Sequence, residues 1–436
     1  MNHAAIWQKA WPIILANAAV PLLGLADTAV IGNLGNLAQL GAIAFGAMIF
    51  SFIYWSFGFL RMGTTGFTAQ AVGARDEAEV RATLGRALVV SVGLGLAVIL
   101  LQVPLASVAL DLLEGSAEVE AITRDYFAIR IWGAPATLSI FALTGCLIGL
   151  GKSRQLLLVQ VFLNGLNILL DVLFAGVLGW GVQGIALGTV IAEWMAVILA
   201  AGLVLKLLRH RQPESGPFWP WSRIGDAGKM LRLMAANTDI LLRTLLLLFS
   251  FAWFINQSAQ FGDAVLGANH ILLQLVSFSA FFLDGYAFVT EALVGEALGA
   301  RRRQDLAIAV RKSTELAAVT AVVLALLIVC FGGLAIAALT DIAPVRVAAG
   351  GALGWAALYV LVSFAAFQLD GIFIGATRTR EMRNASFFSV IAFMLAWWWL
   401  TPLFGNAGLW CAFVIYLCAR ALALAVYYPR LLRQLA

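Results

Sequence analysis

Twelve mostly apolar stretches, each long enough to cross a bilayer, dominate this chain of 436 residues. A membrane-spanning helix needs about 20 consecutive, predominantly apolar residues. Charged residues make up only 12% of the chain, against about 25% in soluble domains, so lipid must be much of its solvent. The sequence therefore predicts an all-α polytopic membrane protein with twelve transmembrane helices. We place the spans at 10–33, 41–66, 83–108, 121–147, 156–178, 184–207, 231–257, 266–290, 306–330, 347–374, 385–404 and 407–428.

The chain also repeats itself at a distance of 226 residues. Gly-Ala-Arg at 73–75 returns at 299–301, and Leu-Gly-Ala at 40–42 returns at 266–268. A fixed repeat distance indicates an internal duplication. Six spans per half predict two pseudo-symmetric, parallel repeats. We expect an N-terminal six-helix lobe over 1–208, a proline-rich cytoplasmic linker over 209–229 and a C-terminal six-helix lobe over 230–436.

Arginine and lysine are sorted between the connections. They follow the second, fourth, sixth, eighth and tenth spans and the end of the chain, whereas the connection after the third span is acidic. The positive-inside rule then places both termini in the cytoplasm. The net charge of +5 is accounted for by this topology, so we expect no nucleic-acid partner.

Motifs for catalysis and for tightly bound cofactors are missing from the sequence. The four cysteines lie scattered in apolar runs, at spacings that fit neither a metal site nor a disulfide framework. No zinc-protease motif, nucleophile elbow or nucleotide-binding loop occurs. The chain is therefore not expected to be an enzyme or to hold a cofactor, and transport by it would draw on an ion gradient.

Polar side chains inside the spans of the first half gather at one depth. A layer of roughly 6 Å in the outer half of the membrane, judged from a helical rise of about 1.5 Å per residue, holds Asp27, Asn167, Asp171, Thr189 and Arg130. Ionisable groups in hydrocarbon are costly and usually functional. Two carboxylates that are close together in a low dielectric do not both ionise readily, which suits a proton-coupled site. The same oxygens also suit Na⁺, the one metal ion we expect here.

Two alternatives stay open for this layer. Asp27 or Asp171 could pair with Arg130 and only fix the packing of the helices. Glu193, one turn below Thr189, could face either a cavity or a neighbouring helix.

Charges in the second half lie nearer the cytoplasmic side. Asp239 and Arg243 stand four residues apart on the seventh span, which is a favourable spacing for a pair within one helix. Asp284, Asp370 and Arg420 lie on three other spans. Together they predict a C-lobe polar network that is either structural or forms an inner gate or second coupling site.

Two prolines, Pro12 and Pro21, interrupt the first span. Proline removes a backbone donor and clashes with the preceding turn, so it kinks a helix. The span that carries Asp27 is therefore either able to bend or permanently kinked.

The layout resembles the multidrug and toxic compound extrusion (MATE) family, in its DinF-like branch, over essentially the whole chain. The stretches that carry the resemblance follow in order along the sequence: Pro12 with Asp27-Thr28, residues 68–74 with their echo at 295–300, Asn164, Asn167 and Asp171 with Thr189, residues 237–240 with Arg243-Thr244, and residues 369–378.

The resemblance implies two six-helix lobes around a central cleft and a secondary antiporter in a bacterial cytoplasmic (inner) membrane. It implies export of small amphipathic, mostly cationic substrates in exchange for H⁺ or Na⁺. The family's coupling site in the N-lobe corresponds by position to Asp27, Asn167, Asp171 and Thr189. We expect Asn164, Arg130 and Glu193 to support this site.

Other members of the family use a carboxylate in the seventh span, but the equivalent stretch here, 255–257, is Ile-Asn-Gln. This disfavours a cation site of that kind. Pro12 matches the proline that is linked to bending of the first helix. The alternative function is a flippase or exporter for a lipid-linked or amphipathic metabolite. We expect a monomer surrounded by membrane lipid.

Overall fold

Helices are the only regular elements in the part of the chain that the structure describes. The computed structural model describes residues 2–32, 37–113, 115–211 and 217–433, and for 20–29, 31, 32, 37 and 113 it describes the backbone alone. The predicted all-α class is confirmed.

Twelve long helices follow one another in the described part of the chain. They are α1 His3–Gly32, α2 Leu37–Ser56 with Phe59–Gly73, α3 Glu77–Leu100, α4 Ala117–Arg130 with Ala134–Gly149, α5 Ser153–Asp171, α6 Gly181–His210, α7 Ala227–Ala259, α8 Asp263–Gly299, α9 Arg303–Leu339, α10 Ala343–Gly375, α11 Thr379–Phe404 and α12 Asn406–Arg433. A 3₁₀ turn, Ile131–Gly133, joins the two parts of α4, and a π-helical segment, Val172–Val177, extends α5. Two shorter helices, Gln102–Leu113 and Trp221–Ile224, lie in connections.

Length and composition agree with a polytopic membrane protein. Among the described residues, 11 helices are long and apolar enough to cross a membrane. Helix α1, with 30 residues, is the twelfth long helix. The predicted third span is interrupted, because α3 ends at Leu100 and a separate helix begins at Gln102. Pro104 explains this break, since proline is tolerated in the first turn of a helix but not in its interior.

Helix boundaries repeat at the 226-residue distance found in the sequence. Helices α3 and α9 begin at equivalent positions, and so do α5 and α11. The turns before them carry left-handed residues at equivalent positions, Arg75 (φ 57°) with Arg301 (φ 55°), and Gly151 (φ 68°) with Thr377 (φ 53°). A left-handed residue just after a helix closes its last turn.

The hydrogen bonds of these closing turns repeat as well. The N–H of Asp76 donates to the carbonyl oxygen of Ala71 at 3.0 Å, and the N–H of Arg302 donates to that of Ala297 at 2.9 Å. This bond spans five residues and defines the Schellman motif. The duplication is therefore visible in the local backbone and not only in residue identity.

The chain packs into two compact units. The N-unit comprises Leu15–Val72 and Asp76–Leu233, and the C-unit comprises Met1–Ile14, Gly73–Arg75 and Met234–Ala436. Within the N-unit, α4 packs against α2, α3 and α6, and α5 packs against α6; the repeat-related helices of the C-unit pack in the same way. Each unit has its own apolar core, centred in the C-unit on rings such as Phe413.

Candidate functional site

One face of α5 carries three buried polar side chains of the N-unit. Asn164, Asn167 and Asp171 are three and four residues apart, so they lie on the same side of the helix. Asn167 and Asp171 are fully buried, and the amide Nδ2 of Asn167 donates a hydrogen bond to Oδ2 of Asp171. Among the described residues, Oδ1 of Asn167 and Nδ2 of Asn164 have no hydrogen-bond partner. The structure thus brings the three predicted α5 residues onto one buried face.

Asp171 is the last α-helical residue before the π-helical segment Val172–Val177. In this segment the backbone hydrogen bonds reach further back than in an α-helix; the N–H of Leu178, for example, donates to the carbonyl of Leu173 at 2.9 Å. Single π-helical turns inside α-helices are rare and occur frequently at functional sites. The carboxylate therefore lies where the backbone changes from α-helical to π-helical geometry.

Two glycines of α6 let that helix approach Asp171 closely. A Cβ atom built on Gly184 would lie 2.9 Å from the backbone of Phe174 and Ala175, and one on Gly188 would lie 2.9 Å from Oδ1 of Asp171. The absence of a side chain at Gly188 thus leaves room for the carboxylate. These glycines lie on one face of α6, one turn apart.

Thr189 follows Gly188 directly and is buried. Its hydroxyl donates to the carbonyl oxygen of Ile185 in its own helix at 2.8 Å. The lone pairs of the hydroxyl oxygen remain available to accept a hydrogen bond or bind a cation. Thr189 thus follows the glycine that approaches the carboxylate, and its own hydrogen bond stays within α6.

Arg130 of α4 and Glu193 of α6 form a buried, two-pronged ion pair. The nitrogens Nη1 and Nη2 of Arg130 donate to the two carboxylate oxygens of Glu193 at 2.8 and 2.7 Å. The guanidinium also lies over the rings of Phe50 and Tyr54, 5.0 and 5.5 Å from their centroids. The sequence left open whether Arg130 serves an aspartate of the layer and which way Glu193 faces. Both terminal nitrogens are engaged by Glu193, which faces a neighbouring helix.

Two residues of α1 that the sequence analysis selected, one in the polar layer and one as a helix-bending proline, lie outside the described side chains. These are Asp27 and Pro21; the backbone of α1 passes through both positions as a helix. Pro12 is described, buried and inside the same helix.

The C-unit charges form a network with different pairs from those the spacing favoured. Arg243 and Arg420 both donate to the same carboxylate oxygen of Asp370, and all three side chains are buried. Asp239 instead accepts from Arg383 at 2.8 Å and from Thr379 at 3.0 Å. The i,i+4 pairing of Asp239 with Arg243 is thus replaced by pairs between helices. Asp284 lies on α8 in the same unit.

Glu291 is a buried acid that the sequence analysis did not select. The predicted eighth span ended at residue 290, but α8 continues to Gly299 and Glu291 is only 1% exposed. The repeat could have extended the predicted eighth span to this residue. Position 291 is equivalent to Thr65, which lies within a helix and is fully buried.

Within the described residues, no group of three or more His, Cys, Asp and Glu could hold a metal ion. The α5 face offers a carboxylate and amide oxygens, which suit a proton or a hard monovalent cation more than a transition metal.

Comparison with known proteins shows which family and which relatives this chain is similar to. A family model described as MatE matches residues 12–173 and 240–398, one stretch in each half. The chain is 37% identical over 98% of its length to the DNA damage-inducible protein F of Escherichia coli (strain K12), of which it covers 92%. It is 28% identical to the probable multidrug resistance protein NorM of Rhizobium meliloti (strain 1021), with 98% of this chain and 92% of that protein covered.

A solved structure shares the fold. It is described as an outward-facing conformation of a multidrug resistance MATE family transporter of the MOP superfamily. The TM-score is 0.87 at 18% identity, and the match covers 99% of this chain and 96% of that one.

Proposed function

The chain belongs to the MatE family of multidrug efflux transporters, and from this premise we propose that it exports organic cations in exchange for H⁺ or Na⁺. The coupling site of this proposal is the α5 face of the N-unit, with Asn167 and Asp171, together with Thr189 of α6 and Asp27 of α1. The finer assignments of the proposal are a bacterial cytoplasmic membrane, cytoplasmic termini and a monomer. Its substrates are small, amphipathic and mostly cationic.

One observation carries the proposal. Asp171 is a fully buried carboxylate that accepts a hydrogen bond from Asn167 at the start of a π-helical segment. A buried acid in a membrane protein is costly and is retained at sites that bind protons or ions. Binding of a proton or cation there alters the hydrogen bond at the point where the helix changes from α to π geometry.

The chemistry of the two ions differs at this face. A proton on Asp171 turns a carboxylate oxygen into a donor, and Oδ1 of Asn167, which has no partner among the described residues, is an acceptor within the same pair. Sodium would instead draw on the carboxylate, the Asn167 amide oxygen and the Thr189 hydroxyl, because hard cations prefer oxygen ligands. In either case the negative charge is neutralised, and the force that holds a cationic substrate in the site is weakened.

Arg130 and Glu193 support the site in this proposal. Their paired charges cancel each other and are held by two hydrogen bonds. The pair fixes α4 against α6, the helix that carries Gly188 and Thr189. Its role is to position the coupling residues rather than to bind the ion.

A second candidate is a flippase or exporter for an amphipathic or lipid-linked metabolite. Its supporting observation is the pair of buried arginines, Arg243 and Arg420, that share one carboxylate in the C-unit. Guanidinium groups bind phosphates and carboxylates in a two-pronged geometry. An anionic substrate is the expected cargo in that case.

The test is uptake of a fluorescent organic cation into inverted membrane vesicles under a pH gradient and, separately, a sodium gradient. Uptake should follow one of the gradients, and Asp171→Asn should abolish it while the protein stays folded. Asp125→Asn is the matched control, because Asp125 is an exposed acid of α4 whose carboxylate accepts a hydrogen bond from Gln183 at 3.4 Å.

The outcomes separate the candidates. Uptake that persists in Asp171→Asn would remove the coupling role from α5. Failure of the wild type to take up cations under either gradient, with uptake of an anionic amphiphile, would instead favour the flippase.

A further inference from the structure

The turns that close α2 and α8 are repeat counterparts and contact each other within the C-unit. Gly73–Arg75 is assigned to the C-unit, although the residues before it, Leu15–Val72, belong to the N-unit. A Cβ atom built on Gly73 would lie 2.9 Å from the backbone nitrogen of Ala300, in the equivalent turn after α8. The two Gly-Ala-Arg turns of the repeat therefore pack backbone against backbone.

Four arginines lie within three residues of this contact. Arg75 and Arg301 take the left-handed positions of the two turns, and Arg302 and Arg303 follow at the start of α9. All four residues are exposed. Among the described residues, the one ion pair they make joins Arg302 to Asp305 at 3.4 Å, between side chains that are 60% and 55% exposed. Such an exposed pair contributes little, so these four residues, here called the basic patch, have almost no acid to balance them.

The corresponding helix start in the first half has the opposite charge. Asp76 and Glu77, at the beginning of α3, stand at the positions equivalent to Arg302 and Arg303. The backbone before the two helices is alike, because the closing turns and their hydrogen bonds repeat. The same turn is thus followed by acids in one half and by bases in the other.

The acids at the start of α3 are occupied by cationic groups of the chain itself. Arg223 Nη1 binds both carboxylate oxygens of Asp76 at 2.8 and 2.7 Å. Arg211, just after the end of α6, makes a two-pronged pair with Glu77 at 2.7 and 3.0 Å. Partial burial disfavours the charge of Asp76, but the hydrogen bonds from Arg223 and from the N–H of Glu79 outweigh it and hold the pKa of Asp76 below its ordinary value.

Apolar contacts hold the linker over the start of α3. Ile224 is buried, and a Cβ atom on Gly85 would lie 2.8 Å from its side chain. The guanidinium of Arg81 lies over the ring of Phe218, 5.7 Å from its centroid. The acidic helix start is therefore covered and neutralised within the N-unit, whereas the basic patch of the C-unit is exposed.

We propose that the basic patch is the docking surface for the phosphate headgroup of an anionic membrane lipid. The acidic helix start binds cations that its own chain supplies. The basic patch, on a turn of the same geometry, presents cations to an anion that the described part of the chain does not supply, so the anion comes from the surroundings of the protein. This inference goes beyond the proposed transport function and stands whether or not the chain exports cations.

The position of the turn selects a lipid as the source of the anion. Only the residues Ala300–Arg302 separate α8 from α9, and both helices are long and apolar enough to cross a membrane. So short a turn keeps its side chains at the bilayer surface, where arginine can lay its apolar stem along the membrane and direct its charge to the headgroups. Clusters of about four to eight basic residues beside a span attract anionic lipids, and guanidinium groups bind phosphate oxygens in pairs.

The patch is tested by lipid binding to the purified full-length protein. In native mass spectrometry, phosphatidylglycerol and phosphatidylcholine with identical acyl chains are titrated onto the protein in detergent, so that the headgroups differ in charge while the apolar parts are the same. The patch variant combines Arg301→Asn, Arg302→Gln and Arg303→Gln, with asparagine chosen because it tolerates a left-handed backbone. Its affinity for phosphatidylglycerol should fall about tenfold, and its affinity for phosphatidylcholine should stay unchanged.

The matched control removes as many positive charges from another exposed surface. It combines Arg154→Gln, Lys206→Gln and Arg209→Gln, which replace three exposed residues of the N-unit. Its affinity for phosphatidylglycerol should stay within about twofold of that of the wild type, because these residues lie outside the basic patch.

Three results would overturn the docking surface. One is an equal loss of phosphatidylglycerol affinity in the patch variant and the control, which would show that binding follows net charge. Another is wild-type affinity in the patch variant. The third is release of phosphatidylglycerol by an equal concentration of inorganic phosphate, which would show that a free anion, and not a lipid, is the ligand.

A second variant separates loss of binding from loss of folding. Arg302→Asp with Arg303→Glu gives α9 the acids that begin α3, and the new aspartate can cap the helix. This variant should unfold in detergent at a temperature no lower than the wild type, and should bind phosphatidylglycerol more weakly by about tenfold or more. Wild-type lipid affinity in this folded variant would equally overturn the docking surface.

Discussion

At the scale of single residues, the buried charges of the N-unit are each held by a hydrogen-bonding partner. Arg130 is held by Glu193, 63 positions further along the chain, and Asp171 is held by Asn167 within its own helix. Both arrangements depend on glycines that allow close approach, Gly133 beside Glu193 and Gly188 beside Asp171. Small residues therefore determine the positions of the charges as much as the charged residues do.

Gly188→Ala should impair coupling without unfolding the protein. The new methyl group would lie 2.9 Å from Oδ1 of Asp171, so the carboxylate must move, and transport should fall roughly tenfold because binding geometry tolerates only about 0.5 Å of error. Gly202→Ala on the same helix meets no atom within 4 Å and should stabilise slightly, as alanine favours helices by about 1 kcal/mol. Equal transport in the two variants, measured in vesicles, would contradict this account.

Breaking the Arg130–Glu193 pair should cost more stability than removing it. Arg130→Met leaves an uncompensated buried carboxylate and should destabilise by about 3–5 kcal/mol, whereas Arg130→Met with Glu193→Met should recover most of the loss. Thermal unfolding in detergent measures both. Additive losses in the double variant would show that the pair is not coupled.

At the scale of helices, local chemistry defines where each element begins and ends. Asp76 accepts from the N–H of Glu79 at 3.0 Å and so caps α3. The equivalent position before α9 is Arg302, which has a similar extended backbone but makes no side-chain cap. The same backbone turn is therefore capped in one half and uncapped in the other.

Arg302→Asp should give α9 an N-cap aspartate like the one that Asp76 provides for α3. An aspartate at the N-cap accepts from the orphan N–H groups of the first turn and should stabilise by about 1 kcal/mol, while Asp76→Ala should lose about the same amount. Chemical denaturation in detergent measures both.

The effect of Asp76→Ala also depends on pH. Because the pKa of Asp76 is lowered in the folded protein, its contribution is complete above the ordinary aspartate pKa of about 3.9 and is lost as the pH falls below it. Arg223 Nη1 binds both carboxylate oxygens of Asp76, at 2.8 and 2.7 Å. A pH-independent difference between wild type and Asp76→Ala would contradict this pairing.

At the scale of the whole molecule, the duplication organises the packing of each unit and the two helices that connect them. The repeat counterparts pack with the same neighbours in the N-unit and in the C-unit. The halves differ in their charges. The N-unit has the α5 carboxylate, whereas the C-unit has the two arginines on Asp370. The two units therefore share the same helix packing but differ in the charges of their buried polar residues.

The orientation of the chain in the membrane is a prediction at this scale. Glu118→Cys, in the acidic connection, should react with a membrane-impermeant maleimide in intact cells, whereas Arg302→Cys should react only after the membrane is permeabilised. Both side chains are exposed, so burial does not decide the result, and the Lys and Arg asymmetry does. The reverse labelling pattern would invert the topology.

The sequence by itself determined the class of the protein, the number of long helices and the register of the repeat. These follow from hydrophobicity, chain length and local turn chemistry, which act over neighbouring residues. It also placed Asn164, Asn167 and Asp171 on one face, because their spacing fits a single helix. Only the tertiary structure decided that Glu193 binds Arg130, that Asp239 binds Arg383 instead of Arg243, and that α1 and α7 begin in the unit of the other half. Partners far apart in the chain are selected by which helix faces meet, and hydrophobic periodicity leaves that choice open.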